Sequence, residues 1–116
     1  VSRDIEALQE KLREFASARD WSQFHSPRNL AASLSIEAAE VLEHFQWLTD
    51  EQSRQISDEK RAAVSTELAD VFLYLVQLAD SLQVDLLAAS TAKIEENGRK
   101  YPVDRSRGVT TKYTDL

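Results

Sequence analysis

The stretch SIEAAEVLEHFQW, residues 35–47, carries a helical period with one discordant residue. On a 3.6-residue wheel Glu37 falls on the same side as Leu30, Leu34 and Val41, the face a helix should bury. A second stretch, ELADVFLYLV at 67–76, repeats the discord with Glu67 and Asp70. Carboxylates at the edge of an apolar stripe need a partner, and these two stretches set both the expected fold and the expected chemistry.

Outward from them, the same period marks four main helices. The first spans 3–19, with Ile5, Leu8, Leu12 and Phe15 on one face. The second spans 27–48 and turns Leu30, Leu34, Val41, Phe45 and Leu48 inward, with Ser26 as N-cap and Pro27 at the first helical position. Thr49 and Gln52 form a capping-box pattern for a short turn through residue 55. The third helix spans 58–83 behind Ser57 and carries the stripe Val64, Leu68, Val71, Leu75, Leu78 and Leu82. The fourth spans 86–98 behind Asp85, with Gly98 and Pro102 placed to stop it. The expected fold is all-α, a four-helix bundle formed by residues 1–102, followed by an irregular polar tail, 103–116, that could pack near the active site. VFLYLV is apolar on every side, and four helices cannot surround it. A homo-oligomer is therefore expected.

Bulk properties narrow the function classes. A chain of 116 residues, 42% hydrophobic, suits one modest core. No run is expected to span a membrane, and the charged opening VSRDIEALQ does not resemble a signal peptide. The absence of cysteine excludes disulfides and thiolate zinc sites, and a cytoplasmic location is the default. A net charge of −6 argues against a general nucleic-acid or anionic-membrane binder. Even so, Lys93, Arg99, Lys100, Arg105, Arg107 and Lys112 crowd the last quarter of the chain, either as a solvated tail or against a small polyanion.

Glu37 and Glu40 lie three residues apart, about 60° on one helical face, and Glu67 and Asp70 share that spacing. The 26 residues of 41–66 suffice to end one helix, turn and return antiparallel with the pairs opposed. Four converging carboxylates raise one another's pKa values, and a hard divalent cation relieves the repulsion. Oxygen-only ligation suits magnesium shared with substrate phosphates. Either pair alone is compatible with a solvated face, as Glu43 illustrates; two pairs on adjacent long helices favour convergence. A di-iron bundle would need Glu-x-x-His on two helices, whereas His44 follows Glu40 by four residues and the only other histidine is His25. No cysteine or nucleophile-elbow serine supports covalent catalysis.

Two further clusters suit a substrate. WSQFH, Trp21 to His25, offers two aromatics and an imidazole in the first interhelical loop, and Trp47 ends the second helix. Such rings can stack on a nucleobase, although core packing is the alternative, above all for Phe24. Lys93, Asn97 and Tyr101, four apart, present donors fit for phosphate oxygens or merely a polar surface stripe.

With these residues in place the chain resembles the MazG-like all-α nucleoside triphosphate pyrophosphohydrolases, and within them the dCTP pyrophosphatase branch. The resemblance runs from Ile5 to Leu116 through RDWSQFHSPRNL (19–30), EAAEVLEHFQW (37–47), ELADVFLYLV (67–76), KIEENGRKYP (93–102) and KYTDL (112–116). The ExxE…ExxD signature is common to the superfamily; WxQFHxPRN, FQW and KYTxL are specific to the branch. The resemblance implies a homotetramer of four-helix-bundle protomers that cleaves dCTP, and 5-modified dCTP, to dCMP and pyrophosphate as nucleotide-pool housecleaning. It implies magnesium held by Glu37, Glu40, Glu67 and Asp70. Three carboxylates would satisfy a magnesium ion that keeps waters, so the fourth is free to activate water, with Glu40 or Glu67 as the candidates. It further implies a base pocket of Trp21, Ser22, Gln23, Phe24, His25 and Trp47, parts of it from neighbouring protomers. Tyr74, Lys93, Asn97 and Tyr101 would assist around sugar and phosphates. Departures from the family pattern are Ala38 and Ala39, where glycine is frequent, and Gly98, where an arginine is usual. A broader dNTP pyrophosphatase and a non-catalytic helical oligomer that binds a protein partner are the alternatives.

Overall fold

A computed structural model describes residues 2–116 as two compact units, Ser2–Val84 and Asp85–Leu116. The described residues form helices and no strand, in agreement with the expected all-α class. In the first unit α1 is Arg3–Ala18, α2 is Pro27–Glu43, α3 is the single turn Asp50–Ser53 and α4 is Asp58–Ser81, with a 3₁₀ turn at Ser22–Phe24. The second unit holds α5, Leu86–Lys100, then α6, Val103–Ser106, and a 3₁₀ turn at Tyr113–Asp115.

The helix starts follow from local chemistry. Ser26 Oγ accepts from Asn29 N at 3.2 Å, and Pro27 at N1 gives up no needed donor. Thr49 and Gln52 exchange both hydrogen bonds of a capping box, at 3.1 and 2.9 Å. Ser57 caps Lys60 N and Asp85 caps Ala88 N, each at 3.1 Å. Two stops reuse one device. Asp20 and Gln83 adopt left-handed φ of 54° and 57°, and the following N–H groups, of Trp21 and Val84, reach back to Ala16 O and Ala79 O at 2.9 Å. Both are Schellman closures built without glycine.

Several expectations need correction. Gly98 does not stop α5, which continues to Lys100; a lone glycine costs a helix only about 1 kcal/mol, whereas Pro102 bars the helical conformation at Tyr101. α2 ends at Glu43 instead of 48, because residues 44–48 tighten into turns such as Leu48 N to Phe45 O at 2.9 Å. The tail is not wholly irregular: α6 forms within it, and Tyr113 folds edge-on against Tyr101, 5.9 Å between ring centroids. α4 is, after all, long and apolar enough by composition to cross a membrane, with mean hydropathy 1.4 over 18 residues. It nonetheless carries Glu67 and Asp70 and packs along α2.

α4 is the axis of the first unit. Gln9 Nε2 donates to Val76 O at 3.3 Å and Arg13 Nη1 bonds both oxygens of Asp80 at 2.8 Å, so α1 runs parallel to α4. Leu30 lies near Gln77 and Ser81 while Glu37 lies near Glu67 and Asp70, so α2 runs antiparallel. Val76 is fully buried, Leu30 is 2% exposed, and Ala16, Val64 and Ala79 complete the buried apolar set. The stripe expected on α4 is only partly inward: Leu68 and Leu82 stay half-exposed, as does neighbouring Phe72. Leu30→Ala should lower the unfolding free energy by about 2–5 kcal/mol, read as a drop in urea midpoint at constant slope. Glu43→Ala, on the exposed face, should change it by less than about 0.5 kcal/mol.

Candidate active site

The α2–α4 pairing brings the two acidic pairs together. One carboxylate oxygen each from Glu37, Glu67 and Asp70 lies within 4.8 Å of the others. Glu40, one turn along α2, stands against both Glu37 and Glu67. Glu37 Oε2 and Glu67 Oε2 are shut off from solvent and accept no hydrogen bond among the described residues. Carboxylates carry no donor of their own, so contact with Glu40 becomes a hydrogen bond only if one partner holds a proton.

That need appears in the acidity of the group. The Glu37 carboxyl is raised from 4.5 to about 7, first by the proton shared with Glu40, then by burial, then by the charges of Glu40, Asp70 and Glu67. Glu67 is raised for the same leading reasons, Glu40 first and burial second, and the nearby His44 partly offsets the shift. A proton or a cation can answer this repulsion. An all-carboxylate donor set with orphaned oxygens fits a hard divalent cation. His44, at the C-cap of α2, has a spacing that fails the di-iron pattern, yet its i, i+7 relation to Glu37 puts it beside the cluster.

Asp70 also lines a cleft of about 410 Å³ between α1, α4 and the loop after α1. This size lies within the usual range of small-molecule sites. The cleft gathers Trp21, His25 and Tyr74 from the expected substrate residues, walled by Leu8, Leu12, Phe15 and Leu73. Trp21 meets Phe15 edge-on with 5.8 Å between ring centroids, and the Arg19 guanidinium lies over the Phe15 ring, 3.6 Å from its centroid. An apolar wall with a few polar groups beside a carboxylate cluster can hold a flat polar ring next to charged oxygens.

Other expected residues fall elsewhere. Ser22 lines a smaller adjoining hollow of about 170 Å³ that shares His25. Gln23 is spent locally, with Nε2 donating to the carbonyl and carboxylate of Asp20 at 3.0 Å. Phe24 is neither core nor cleft wall in the first unit; its carbonyl accepts from Asn29 Nδ2 at 2.8 Å and its ring is exposed. Trp47 is 86% exposed in the turn after α2 and does not line the cleft of its own chain. Lys93 pairs with Glu96 at 3.5 Å in the second unit, where Lys100 reaches the same carboxylate at 3.1 Å. There Tyr101 N donates to Asn97 O at 2.9 Å. Phe15, Lys11 and Gln77 were missed as cleft residues: Phe15 reads as core, and the other two as ordinary polar helix positions.

The MazG-like family model matches residues 32–116. The chain is 50% identical over 105 residues to dCTP pyrophosphatase 1 of Bos taurus and 47% identical to that of Homo sapiens, covering 89% of this chain in each case. It spans 62% of the length of these curated relatives. A crystal structure of a pyrophosphatase from Archaeoglobus fulgidus superposes with a TM-score of 0.81 at 40% identity, covering 88% of this chain and 95% of that one.

A carboxyl whose folded pKa is raised binds its proton more tightly in the folded state, so its stabilisation is present at low pH and is lost as pH rises through the folded value. The thermal midpoint of metal-free protein should therefore carry a contribution from Glu37 that falls between pH 4.5 and pH 7 and levels off above it. Glu37→Gln should remove this slope in matched melts. A pH profile unchanged by the substitution would show that the group titrates normally.

Proposed function

The chain belongs to the MazG-like family, and we propose that it is a magnesium-dependent pyrophosphohydrolase that converts dCTP to dCMP and pyrophosphate. One observation carries the proposal: Asp70 belongs at once to the carboxylate cluster and to the aromatic cleft. A ligand filling the cleft would end beside the cluster, as a base joined to a triphosphate does.

In the proposed reaction Trp21, His25 and Tyr74 hold base and sugar in the cleft and exclude water from them. Glu37, Glu40, Glu67 and Asp70 would hold magnesium, which when bound neutralises charge on the triphosphate. A water oxygen forms its bond to the α-phosphorus in line as the bond from that phosphorus to the bridging oxygen breaks, and pyrophosphate leaves with the electron pair. The water proton passes to a carboxylate, Glu40 or Glu67; the raised affinity of Glu67 for a proton suits it to this part. Substrates would extend to 5-modified cytosines, in keeping with housecleaning of the cytoplasmic nucleotide pool.

The assembly proposed is a homotetramer of four-helix-bundle protomers. Leu68 and Phe72 on α4 are 52% and 41% exposed, and Ile36 and Leu42 on α2 are more so, which leaves apolar surface for further copies to cover. Trp47, so exposed in its own chain, would then close the cleft of a neighbour. Pyrophosphate release from dCTP should require magnesium and fall by about a hundredfold to a thousandfold in Glu37→Ala, given the size of such electrostatic contributions. A particle of four copies should accompany that activity in sedimentation. Turnover equal on all nucleotides would favour the broader enzyme, and no turnover would contradict the proposal.

A further inference from the structure

We infer that Gln77 reads the base, as a fixed hydrogen-bond acceptor that selects a ring bearing an exocyclic amine. This rests on the cleft being the nucleotide site proposed above. Along α4 the cleft meets Asp70, Leu73, Tyr74 and Gln77, the i, i+3, i+4, i+7 pattern of a single helical face. Seven residues at the helical rise separate Asp70 from Gln77 by roughly 10 Å along the axis. With phosphates at the Asp70 end, Tyr74 falls level with the sugar and Gln77 level with the outer edge of the base.

The amide of Gln77 is oriented by its own helix. Its Nε2 donates to Leu73 O at 3.2 Å. A backbone carbonyl only accepts, so the NH₂ must take that side and Oε1 must take the other. No hydrogen bond to Oε1 forms among the described residues. The remaining uncharged groups of the cleft do not offer this selectivity. Trp21 can only donate, while His25 and Tyr74 can each donate or accept. The two nearby glutamines are engaged elsewhere, Gln9 with Val76 O and Gln23 with Asp20. Cytosine presents an amine at the position where uracil presents a carbonyl. Oε1 would accept from the first and oppose the second, and turning the amide round to suit uracil would break the bond to Leu73.

The test is kcat/KM of the full chain on dCTP, on dUTP and on the 2-pyrimidinone deoxynucleoside triphosphate, which lacks the amine. Gln77→Met keeps the length of the side chain without donor or acceptor; Gln77→Glu keeps an acceptor. In the wild type, loss of the amine should cost on the order of tenfold, the scale of one hydrogen bond in a dry site. In Gln77→Met the amine should become worth less than about twofold, the margin within which independent effects add. Gln77→Glu should keep the preference for the amine even if overall turnover falls. A purely structural role would lower all three substrates together and leave the ratios intact, which would overturn the inference. If the wild type does not favour dCTP over dUTP, the cytosine assignment itself fails and this inference with it. A wild-type preference that survives Gln77→Met sinks the inference alone.

Discussion

Mutual repulsion among Glu37, Glu40, Glu67 and Asp70 is the constraint on which the rest of the structure turns. The packing of α2 along α4 supplies the apolar contact that holds them together, and Leu30 on α2 and Val64 on α4 are both buried. The same contact strips solvent from one oxygen of Glu37 and one of Glu67. Hydrophobic burial thus maintains an arrangement that the carboxylates by themselves would oppose. A fold that keeps four acids converged at some cost in stability, with two oxygens unpartnered among the described residues, has the marks of a site built for a positive charge.

The cleft depends on the same helix by a different route. α1 is fixed to the C-terminal half of α4 by Gln9 on the Val76 carbonyl and by the two-pronged bond of Arg13 to Asp80. The Schellman closure at Asp20 then turns the chain so that Trp21 meets Phe15 at the cleft wall. Acid cluster and aromatic cleft therefore share one rigid element, and Asp70 lies where they join. Placing both on a continuous helix sets their separation by the helical rise, without reliance on loop conformation.

Much of this was legible in the residues. Ser26, Thr49 with Gln52, Ser57 and Asp85 announced their helices because capping is local chemistry, settled within four residues. Glu37 announced the cluster because a charge on a buried face requires a partner. What depended on tertiary packing was less legible. α4 is flanked by α1 as well as α2, so Val76 and Ala79 are buried while Leu68 and Leu82, on the regular stripe, are half-exposed. Gln77 and Lys11 look like solvated positions until α1 is placed beside α4. Of the two expected stops of α5 only Pro102 acts, because it constrains the backbone of Tyr101, whereas Gly98 has no such effect and lies inside the helix. Trp47 stands clear of the cleft in its own chain, which no periodicity could reveal.

The most direct test of the central claim is calorimetric titration of magnesium into the metal-free protein near pH 7, repeated in buffers of different ionisation enthalpy. Glu37 is raised to about 7 and is therefore partly protonated there, so binding of the cation should expel a proton from the cluster. The apparent enthalpy should then vary with the buffer in the wild type, and Glu37→Gln should abolish that variation. Absence of magnesium binding, or binding with no proton released, would contradict a site held together by carboxylates waiting for a cation.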